Sequence, residues 1–414
     1  MEKLFNNDKI FIGGHNMILR NDYIEKIKPY IDVQIVKVLA GIRRSGKSTI
    51  LDMLEDEFIS RGIKKDHIIR RKYTDLDYDS FTTKNMYEDL KSRIKDGEKY
   101  YFLLDELQEI DGWEKVINSF LENFNTDIYL TGSNSKLMSA EISTYLTGRY
   151  ITIPVYTLSF KEYLAFKNDS NKSKYEHLKG YIRMGGFPLI ASSSFDENSA
   201  YEIVEDIYNS VVIKDIAKRH QITNIDLFNR VVRFVIENIG NTFSANSIVK
   251  FLKSQNRSIS PEIIYNYLEW LEKAFIIYRV KRYDLRGKEI LKTQEKFYIA
   301  DQSIKYALYG FSSSSVASMM ENIVFFELKR RGYDVYIGKD GDKEIDFIGK
   351  RRDEKIYIQV CKELPENSNR ETQNLLDIED NFPKIIVTLD EYACGNHNGI
   401  KIIHLADFLL DENI

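Results

Sequence analysis

The segment Gly41–Ser48 (GIRRSGKS) constrains this chain more than any other feature, because it matches the phosphate-binding pattern G-x-x-x-x-G-K-[ST]. A short apolar run, Gln34–Ala40, precedes it, and Ser48–Ser60 follows with apolar residues at helical spacing. A strand before and a helix after is the context in which such a loop wraps its backbone N–H groups around phosphates. The pattern therefore predicts an α/β fold that binds ATP and Mg²⁺ at this loop.

Two side chains of the loop have direct roles in this prediction. Lys47 neutralises charge on the β- and γ-phosphates, and Ser48 supplies a hydroxyl ligand to Mg²⁺. Arg43 and Arg44 either face phosphate or are solvated and turned toward a partner. The expected cofactor-binding residues are Gly41, Arg43, Arg44, Ser45, Gly46, Lys47, Ser48 and Thr49.

The apolar run Tyr100–Leu104 predicts a buried parallel strand, and two acids follow it directly. Asp105 stands where a carboxylate holds Mg²⁺ through water, and Glu106 stands where a base polarises the attacking water. The alternative is a solvated acidic strand end without a catalytic role. We predict Asp105 and Ser48 as metal ligands and Glu106 as a catalytic residue.

Further polar residues end the next predicted strand, at Thr131–Asn134. Asn134 is predicted to orient the attacking water or to sense the γ-phosphate, with Ser133 as the second candidate and a plain turn as the alternative. Arg149 follows shortly after in the chain. An arginine there could stabilise the charge of a γ-phosphate bound to its own subunit or to a neighbour's, and a surface arginine without this role is the alternative.

Composition limits the classes of function. The 414 residues carry a formal net charge of −4, with 43% hydrophobic and 29% charged residues, as expected for a globular protein of several domains. The net charge excludes a protein that coats nucleic acid along its length. The two cysteines, Cys361 and Cys394, do not suggest a disulfide framework, and no His–Cys spacing indicates zinc. Because the start is charged and no apolar run reaches 18 residues, we expect a cytoplasmic protein without a membrane partner.

Hydrophobic patterning divides the chain into four expected parts. Residues 1–160 alternate strands and helices around a parallel sheet. Residues 161–222 form a helical part, and we expect helices at Phe160–Lys167, Lys174–Arg183 and Glu197–Arg219. Residues 223–297 resemble a winged helix whose wing is a hairpin at 278–297. Residues 298–414 are expected to form a second α/β domain.

The hairpin at 278–297 holds seven Lys and Arg residues against three acids, which leaves DNA open as a partner through this segment. The preceding helix, 261–275, carries Glu262, Glu269 and Glu272, a poor match to a phosphate-lined groove. The alternative is a module for packing or for docking an unidentified protein. Assembly of several copies of the chain also stays open.

Four motifs together resemble the prokaryotic AAA-type P-loop ATPases that carry a C-terminal domain of unknown function. These motifs are Gly41–Ser48, the box Asp105–Gln108, the segment Thr131–Asn134 and the step Gly148-Arg149. The resemblance covers nearly the whole chain. It implies an ATPase core and ATP binding far more than it implies a biological task.

The last part of the chain resembles the restriction-endonuclease-like fold, whose active members hold Mg²⁺ with acids and place an acid-x-Lys triplet on the next strand. Glu344 and Asp346 share a strand face, and Glu321 could join them from a helix. Gln359 and Cys361, however, stand at the acid and lysine positions of the triplet. We therefore expect no nuclease activity.

Together these patterns predict an ATP-hydrolysing switch that acts on an unknown partner. Two alternatives stay open: an ATP-gated DNA-processing enzyme with an active nuclease domain, and a nucleotide-responsive regulator of DNA or protein with negligible turnover. A measurement of ATP turnover with and without DNA distinguishes the three.

Overall fold

The computed structural model describes residues 9–12, 15–133, 145–146, 148–287, 289–364 and 370–413. These residues form two compact units, one within Met1–Thr157 together with Lys273–Phe275, the other within Leu158–Glu272 and Ile276–Ile414. Each unit has a sheet of its own.

The first unit alternates strands and helices, as the sequence predicts. Its strands are β1 (Lys9–Ile12), β2 (His15–Ile18), β3 (Val36–Ala40), β4 (Ile68–Lys72), β5 (Tyr100–Asp105), β6 (Thr126–Gly132) and β7 (Tyr150–Pro154). Its helices are α1 (Asn21–Ile27), α2 (Lys47–Ser60), α3 (Thr83–Lys91) and α4 (Trp113–Asn123).

Five of these strands form a parallel sheet in the order β4-β5-β6-β3-β7. The predicted α/β fold with a parallel sheet is confirmed. β6 separates β3, which leads into the phosphate loop, from β5, which ends in Asp105. Because the carboxyl ends of parallel strands meet at one edge of a sheet, the loop, Asp105 and the end of β6 lie at the same edge.

Strand β5 shows why a strand of this sheet has apolar residues at consecutive positions. Tyr101 and Leu103 pack into a core cluster with α2, whereas Phe102 and Leu104 pack into a second cluster with α4. All four side chains are at most 6% exposed. Helices cover both faces of the sheet, so side chains that alternate between the faces must all be apolar. The two cores hold the carboxyl edge of the sheet in place.

The second unit contains the remaining elements. Its helices are α5 (Phe160–Lys167), α6 (Lys174–Met184), α7 (Pro188–Ala191), α8 (Glu197–Ser210), α9 (Ile225–Glu237), α10 (Ala245–Ser254), α11 (Pro261–Lys273), α12 (Gln302–Tyr309), α13 (Val316–Arg330), α14 (Arg370–Leu376) and α15 (Leu405–Leu410). Its strands are β8 (Thr242–Phe243), β9 (Ile277–Asp284), β10 (Glu289–Ile299), β11 (Asp334–Asp340), β12 (Lys343–Arg351), β13 (Glu354–Cys361), β14 (Lys384–Thr388), β15 (Gly395–His397) and β16 (Ile400–His404).

Helices α5 and α6 begin where the sequence predicts, because each has a capping box. Ser159 accepts a hydrogen bond from the backbone N–H of Glu162, whose side chain in turn accepts one from the backbone N–H of Ser159. Ser173 begins α6 in the same way. The single helix expected at 197–219 is instead α8 followed by a π-helix, Val211–Lys218. Hydrophobic spacing does not reveal such a local widening of the helix.

The sheet of the second unit has the order β15-β16-β14-β13-β12-β11-β9-β10-β8. β9 pairs in parallel with β11 at Arg282–Asp284, so the basic hairpin β9–β10 is an integral part of this sheet. The expected domain boundary between residues 297 and 298 lies within β10. The division into four parts stays a prediction, as does the winged-helix assignment, while β8 to β16 are hydrogen-bonded into one sheet.

Candidate functional site

The loop after β3 depends on two glycines. A Cβ atom at Gly41 would lie 2.0 Å from the carbonyl oxygen of Val155, so no larger residue fits unless the backbone moves. Gly46, which precedes α2, has a φ of 95°, in the left-handed region that side chains disfavour. The two glycines let the chain curl into the N-terminus of α2, where the first N–H groups lack acceptors within the helix and can bind phosphate.

Lys47 is buried within this loop. Its Nζ donates to the carbonyl oxygens of Gly41 and Ile42, at 3.0 Å each. Ser45 is also buried, and its hydroxyl finds no hydrogen-bond partner among the described residues. A buried hydroxyl in this state is costly, and a phosphate oxygen would satisfy it.

Asp105 is fully buried at the end of β5. Its Oδ1 accepts a hydrogen bond from the hydroxyl of Thr131 on β6. Its Oδ2 is also buried and accepts no hydrogen bond from any described residue, and the guanidinium of Arg70 lies 3.6 Å from it. A buried carboxylate oxygen that accepts no hydrogen bond from the described residues fits Mg²⁺, or a water bound to Mg²⁺, as its partner.

Glu106 has a left-handed backbone conformation, with φ 52° and ψ 46°. This conformation costs energy for a residue with a side chain, and such residues concentrate at functional sites. The backbone N–H of Glu106 donates to the hydroxyl of Thr131 at 3.0 Å. Because the same hydroxyl donates to Asp105, one threonine positions both acids.

Two side chains hold the carboxylate of Glu106. Its Oε2 accepts hydrogen bonds from Gln108 Nε2 at 2.5 Å and from Ser133 Oγ at 3.1 Å. Burial alone would raise the pKa of this carboxyl group, but the charge of Lys47, the bond from Gln108 and the charge of Arg43 together lower the pKa. Glu106 is therefore ionised at neutral pH, which is the state that a general base requires.

The remaining predicted loop residues differ in their exposure. Ser48 and Thr49 lie half-buried in the first turn of α2. Arg43 is half-buried, and its charge acts on Glu106. Arg44 is exposed, which fits its solvated alternative better than a phosphate contact.

Several contacts at the candidate site do not follow from the sequence motifs. Thr131 and Gln108 were recognised only as parts of larger motifs, although Gln108 stands two residues after the acid that it holds. Arg70 carries no sequence signal, because its contact with Asp105 arises from the pairing of β4 with β5. Asn134 lies outside the described residues, and its role stays a prediction.

Arg149 is paired with α4. Its Nη2 donates to Asn118 Oδ1 at 2.8 Å and to Glu122 Oε1 at 3.0 Å, and its Nε donates to the carbonyl oxygen of Leu146 at 3.4 Å. To reach a γ-phosphate, the side chain would have to leave these partners. The catalytic role of Arg149 stays a prediction.

Comparisons with known proteins agree with this geometry. A model of the AAA domain matches residues 34–164, and a model of a domain of unknown function (DUF8612) matches residues 175–315. An uncharacterized protein of Haemophilus influenzae is 38% identical over 398 residues, which cover 95% of this chain and 99% of that protein. The chain belongs to the AAA-type P-loop ATPases. The uncharacterized protein MJ1544 of Methanocaldococcus jannaschii is 32% identical over 385 residues, which cover 88% of this chain and 82% of that protein.

A solved structure extends the comparison of folds. The Walker-type ATPase PABY2304 of Pyrococcus abyssi is 15% identical and gives a TM-score of 0.51, covering 74% of this chain and 99% of that chain. At this identity the likeness concerns the fold alone. Within the described part of the chain, no helix is long and apolar enough to cross a membrane.

Four basic residues of the hairpin β9–β10 form ion pairs with carboxylates of the second unit. Arg279 is ion-paired with Glu272 on α11 and with Glu295 on β10. Other ion pairs are Arg282–Glu344, Arg286–Asp340, Lys296–Glu321 and Lys296–Glu344. Lys281 is exposed, and the side chains of Lys288 and Lys292 lie outside the described residues. Paired cations attract phosphate less, so these contacts weigh against the hairpin as a DNA-binding wing.

The acidic cluster of Glu321, Glu344 and Asp346 forms as the sequence predicts, and it also contains Lys296, which the sequence does not predict there. Lys296 Nζ lies 2.8 Å from Glu344 Oε1 and 3.5 Å from Glu321 Oε2. Asp346 Oδ2 accepts a hydrogen bond from the backbone N–H of Val360 at 2.8 Å. Burial raises the pKa of Glu321 and of Asp346. Burial by itself would lower the pKa of Lys296. The negative charges of Glu321, Asp346 and Glu344 together have the larger effect, so the pKa of Lys296 is raised.

The two departures from the nuclease triplet lie beside this cluster. Gln359 is buried, accepts from the backbone N–H of Asp346 at 3.3 Å and donates to Glu371. Cys361 is buried, and burial raises the pKa of its thiol to about 12. The thiol is therefore protonated and neutral, so the lysine position of the triplet supplies no cation.

Proposed function

We propose that this protein binds ATP with Mg²⁺ at the loop after β3, hydrolyses it, and uses the cycle as a conformational switch acting on a protein partner. One observation carries the proposal: Thr131 holds Asp105 and Glu106 side by side at the sheet edge where the phosphate loop begins. Against the effect of burial, the charge of Lys47 lowers the pKa of Glu106. This effect supports a single site that contains both the phosphate loop and the two acids.

The chemistry follows from these positions. Lys47 would exchange the carbonyl oxygens of its own loop for phosphate oxygens, and the first N–H groups of α2 would bind the phosphates. Ser48 and Asp105 would hold Mg²⁺, which when bound neutralises charge on the phosphate oxygens. Glu106 accepts a proton from the attacking water, while Gln108 holds its carboxylate in place.

Calorimetric titration with Mg²⁺ and ATP tests the binding step. Lys47→Ala is expected to abolish detectable affinity, because the main positive side chain at the phosphates is lost. Lys64→Ala, at an exposed lysine before β4, is the matched control and should bind like the wild type. Unchanged affinity in a folded Lys47→Ala protein, judged by circular dichroism, would refute the assignment of the loop.

A second candidate function, ATP-gated cleavage of DNA, is favoured by the position of Lys296. This lysine brings to Glu344 and Asp346 a cation that Cys361 does not supply. We prefer a binding-only or inert role for the second unit, because Lys296 is engaged in ion pairs and the pKa of Asp346 is raised. Both features reduce the negative charge that would attract Mg²⁺.

The third candidate, a nucleotide-responsive regulator with negligible turnover, differs only in the rate of hydrolysis. Phosphate release measured with and without DNA separates it from the ATP-driven switch. A protein that binds ATP tightly but turns over no faster than the Glu106→Gln variant would favour the regulator.

A further inference from the structure

Arg70 on β4 contacts both sides of the nucleotide site. Its Nη2 lies 3.2 Å from Asp52 Oδ1 and 3.5 Å from the carbonyl oxygen of Ser48, both on α2. Its Nη1 donates to the carbonyl oxygen of Leu103 on β5 at 3.3 Å. The guanidinium thus bridges the helix that begins at the phosphate loop and the strand that carries Asp105.

The same guanidinium lies at the oxygen that Mg²⁺ is expected to use. Arg70 Nη2 is 3.6 Å from Asp105 Oδ2, the carboxylate oxygen that accepts no hydrogen bond from the described residues. The other oxygen, Oδ1, is already bonded to Thr131. Because Asp105 is fully buried, its charge needs a nearby cation to be tolerated.

We propose that Arg70 is a positioning residue that compensates the charge of Asp105 while the site holds no metal, and that it gives way when Mg²⁺ and ATP bind. This inference rests on the proposed ATP-binding function. Two cations compete for one carboxylate oxygen, so the arginine lowers the affinity of the site for Mg²⁺ by itself. The phosphate oxygens of ATP are further ligands to Mg²⁺, and with them the metal displaces Arg70 from Asp105. The site thereby binds the metal better together with the nucleotide than alone.

Asp52 makes the exchange reversible. It remains a partner for Arg70 on α2, one helical turn after Ser48. The guanidinium therefore shifts toward α2 rather than leaving the site. Its second contact on α2 is the backbone carbonyl oxygen of Ser48, the residue whose hydroxyl is the other expected metal ligand.

Metal dependence of ATP binding is the primary test. Arg70→Gln is compared with Arg71→Gln, which removes the same charge from the next residue of β4, where the side chain pairs with Asp89 at 2.7 Å. ATP affinity is measured by calorimetry over a range of Mg²⁺ concentrations and in EDTA. In Arg70→Gln, the Mg²⁺ concentration that gives half-maximal binding should fall about tenfold, as expected when a unit charge close to a divalent ion is removed. Arg71→Gln should match the wild type, and Arg70→Lys should restore most of the wild-type dependence.

Thermal unfolding gives a second readout that does not depend on turnover. Without metal or nucleotide, Arg70→Gln should unfold about 2–4 °C below the wild type, because Asp105 has lost its cation. Addition of Mg²⁺ and ATP should then raise its unfolding temperature by more than it raises that of the wild type.

Three results would overturn the inference. An unchanged Mg²⁺ requirement in folded Arg70→Gln would show that Arg70 does not compete with the metal. A loss of ATP affinity in EDTA as large as that of Lys47→Ala would make Arg70 a phosphate ligand instead. A wild-type protein that binds no ATP at any Mg²⁺ concentration would refute the proposed function itself, and the inference with it.

Discussion

At the scale of single residues, Glu106 shows how the site is constructed. It combines a left-handed backbone, an N–H bonded to Thr131 and a carboxylate held by Gln108 and Ser133. A residue held in this way keeps its orientation, which is what a general base requires. The lowered pKa keeps it ionised, at the expense of some basicity.

Glu106→Gln should therefore retain ATP but lose hydrolysis. Glutamine preserves the size of the side chain but cannot accept the proton, so phosphate release is expected to fall on the order of 10²-fold or more. ATP affinity in the presence of Mg²⁺ should stay near that of the wild type. The matched control is Glu109→Gln, at an exposed residue three positions on, which should hydrolyse normally. Wild-type turnover in Glu106→Gln would assign the base elsewhere.

Much of the site could be predicted because its main residues are adjacent in sequence. The loop after β3 and the pair Asp105-Glu106 are local motifs whose positions follow from a strand and the turn after it. The contacts of Thr131 and Arg70 could not be predicted, because they depend on which strands are neighbours in the sheet. The pattern of apolar residues identifies a strand. Only the pairing of that strand with its neighbours determines which side chains of other strands its own side chains contact.

At the scale of elements, the contacts of the hairpin β9–β10 favour the packing alternative over DNA binding. Seven basic residues suggest a surface for phosphate, yet helix α11 supplies a carboxylate to Arg279 and the neighbouring strand β11 supplies one to Arg286. The sequence gives the number of charged residues, but it does not show which residues of opposite charge the fold places next to them. The hairpin was correctly predicted as an element, and its environment was not.

The pairing of Arg279 predicts an effect on stability. Arg279→Met leaves Glu272 without its cation at a site where burial raises the pKa of that carboxyl group. The free energy of unfolding is expected to fall by about 1–2 kcal/mol, measured by urea denaturation. Lys281→Met, at an exposed residue of the same strand, is the control and should change stability by less than about 0.5 kcal/mol. Equal effects of the two variants would contradict a role for these ion pairs.

At the scale of the whole molecule, the question is whether the second unit cleaves DNA. We expect no cleavage of single- or double-stranded DNA with Mg²⁺ or Mn²⁺, with or without ATP. Gln359 brings no anion, and burial keeps the Cys361 thiol neutral. The comparison is wild type against Asp346→Ala, with Asp353→Ala, at an exposed turn, as the control. Cleavage that is lost only in Asp346→Ala would instead support the DNA-processing enzyme.

Assembly of the molecule is tested through Arg149. If this arginine acts on a nucleotide bound to a neighbouring copy, ATP turnover should rise more steeply than linearly with protein concentration. Mixing Arg149→Ala with Lys47→Ala protein should then restore part of the activity, because each variant supplies what the other lacks. Strictly proportional turnover from a monomer would leave Arg149 to act on its own nucleotide or to hold α4 through Asn118 and Glu122.

The sheet that joins the hairpin to the last strands determines how the chain can be divided. A fragment that begins at residue 298 would remove β9 and expose the backbone N–H and C=O groups of β11 between Ile337 and Lys339. An open strand edge of this kind pairs with other copies, so such a fragment should aggregate on expression. A fragment that begins at Leu158 keeps β8 to β16 together and should remain soluble at concentrations where the shorter one precipitates.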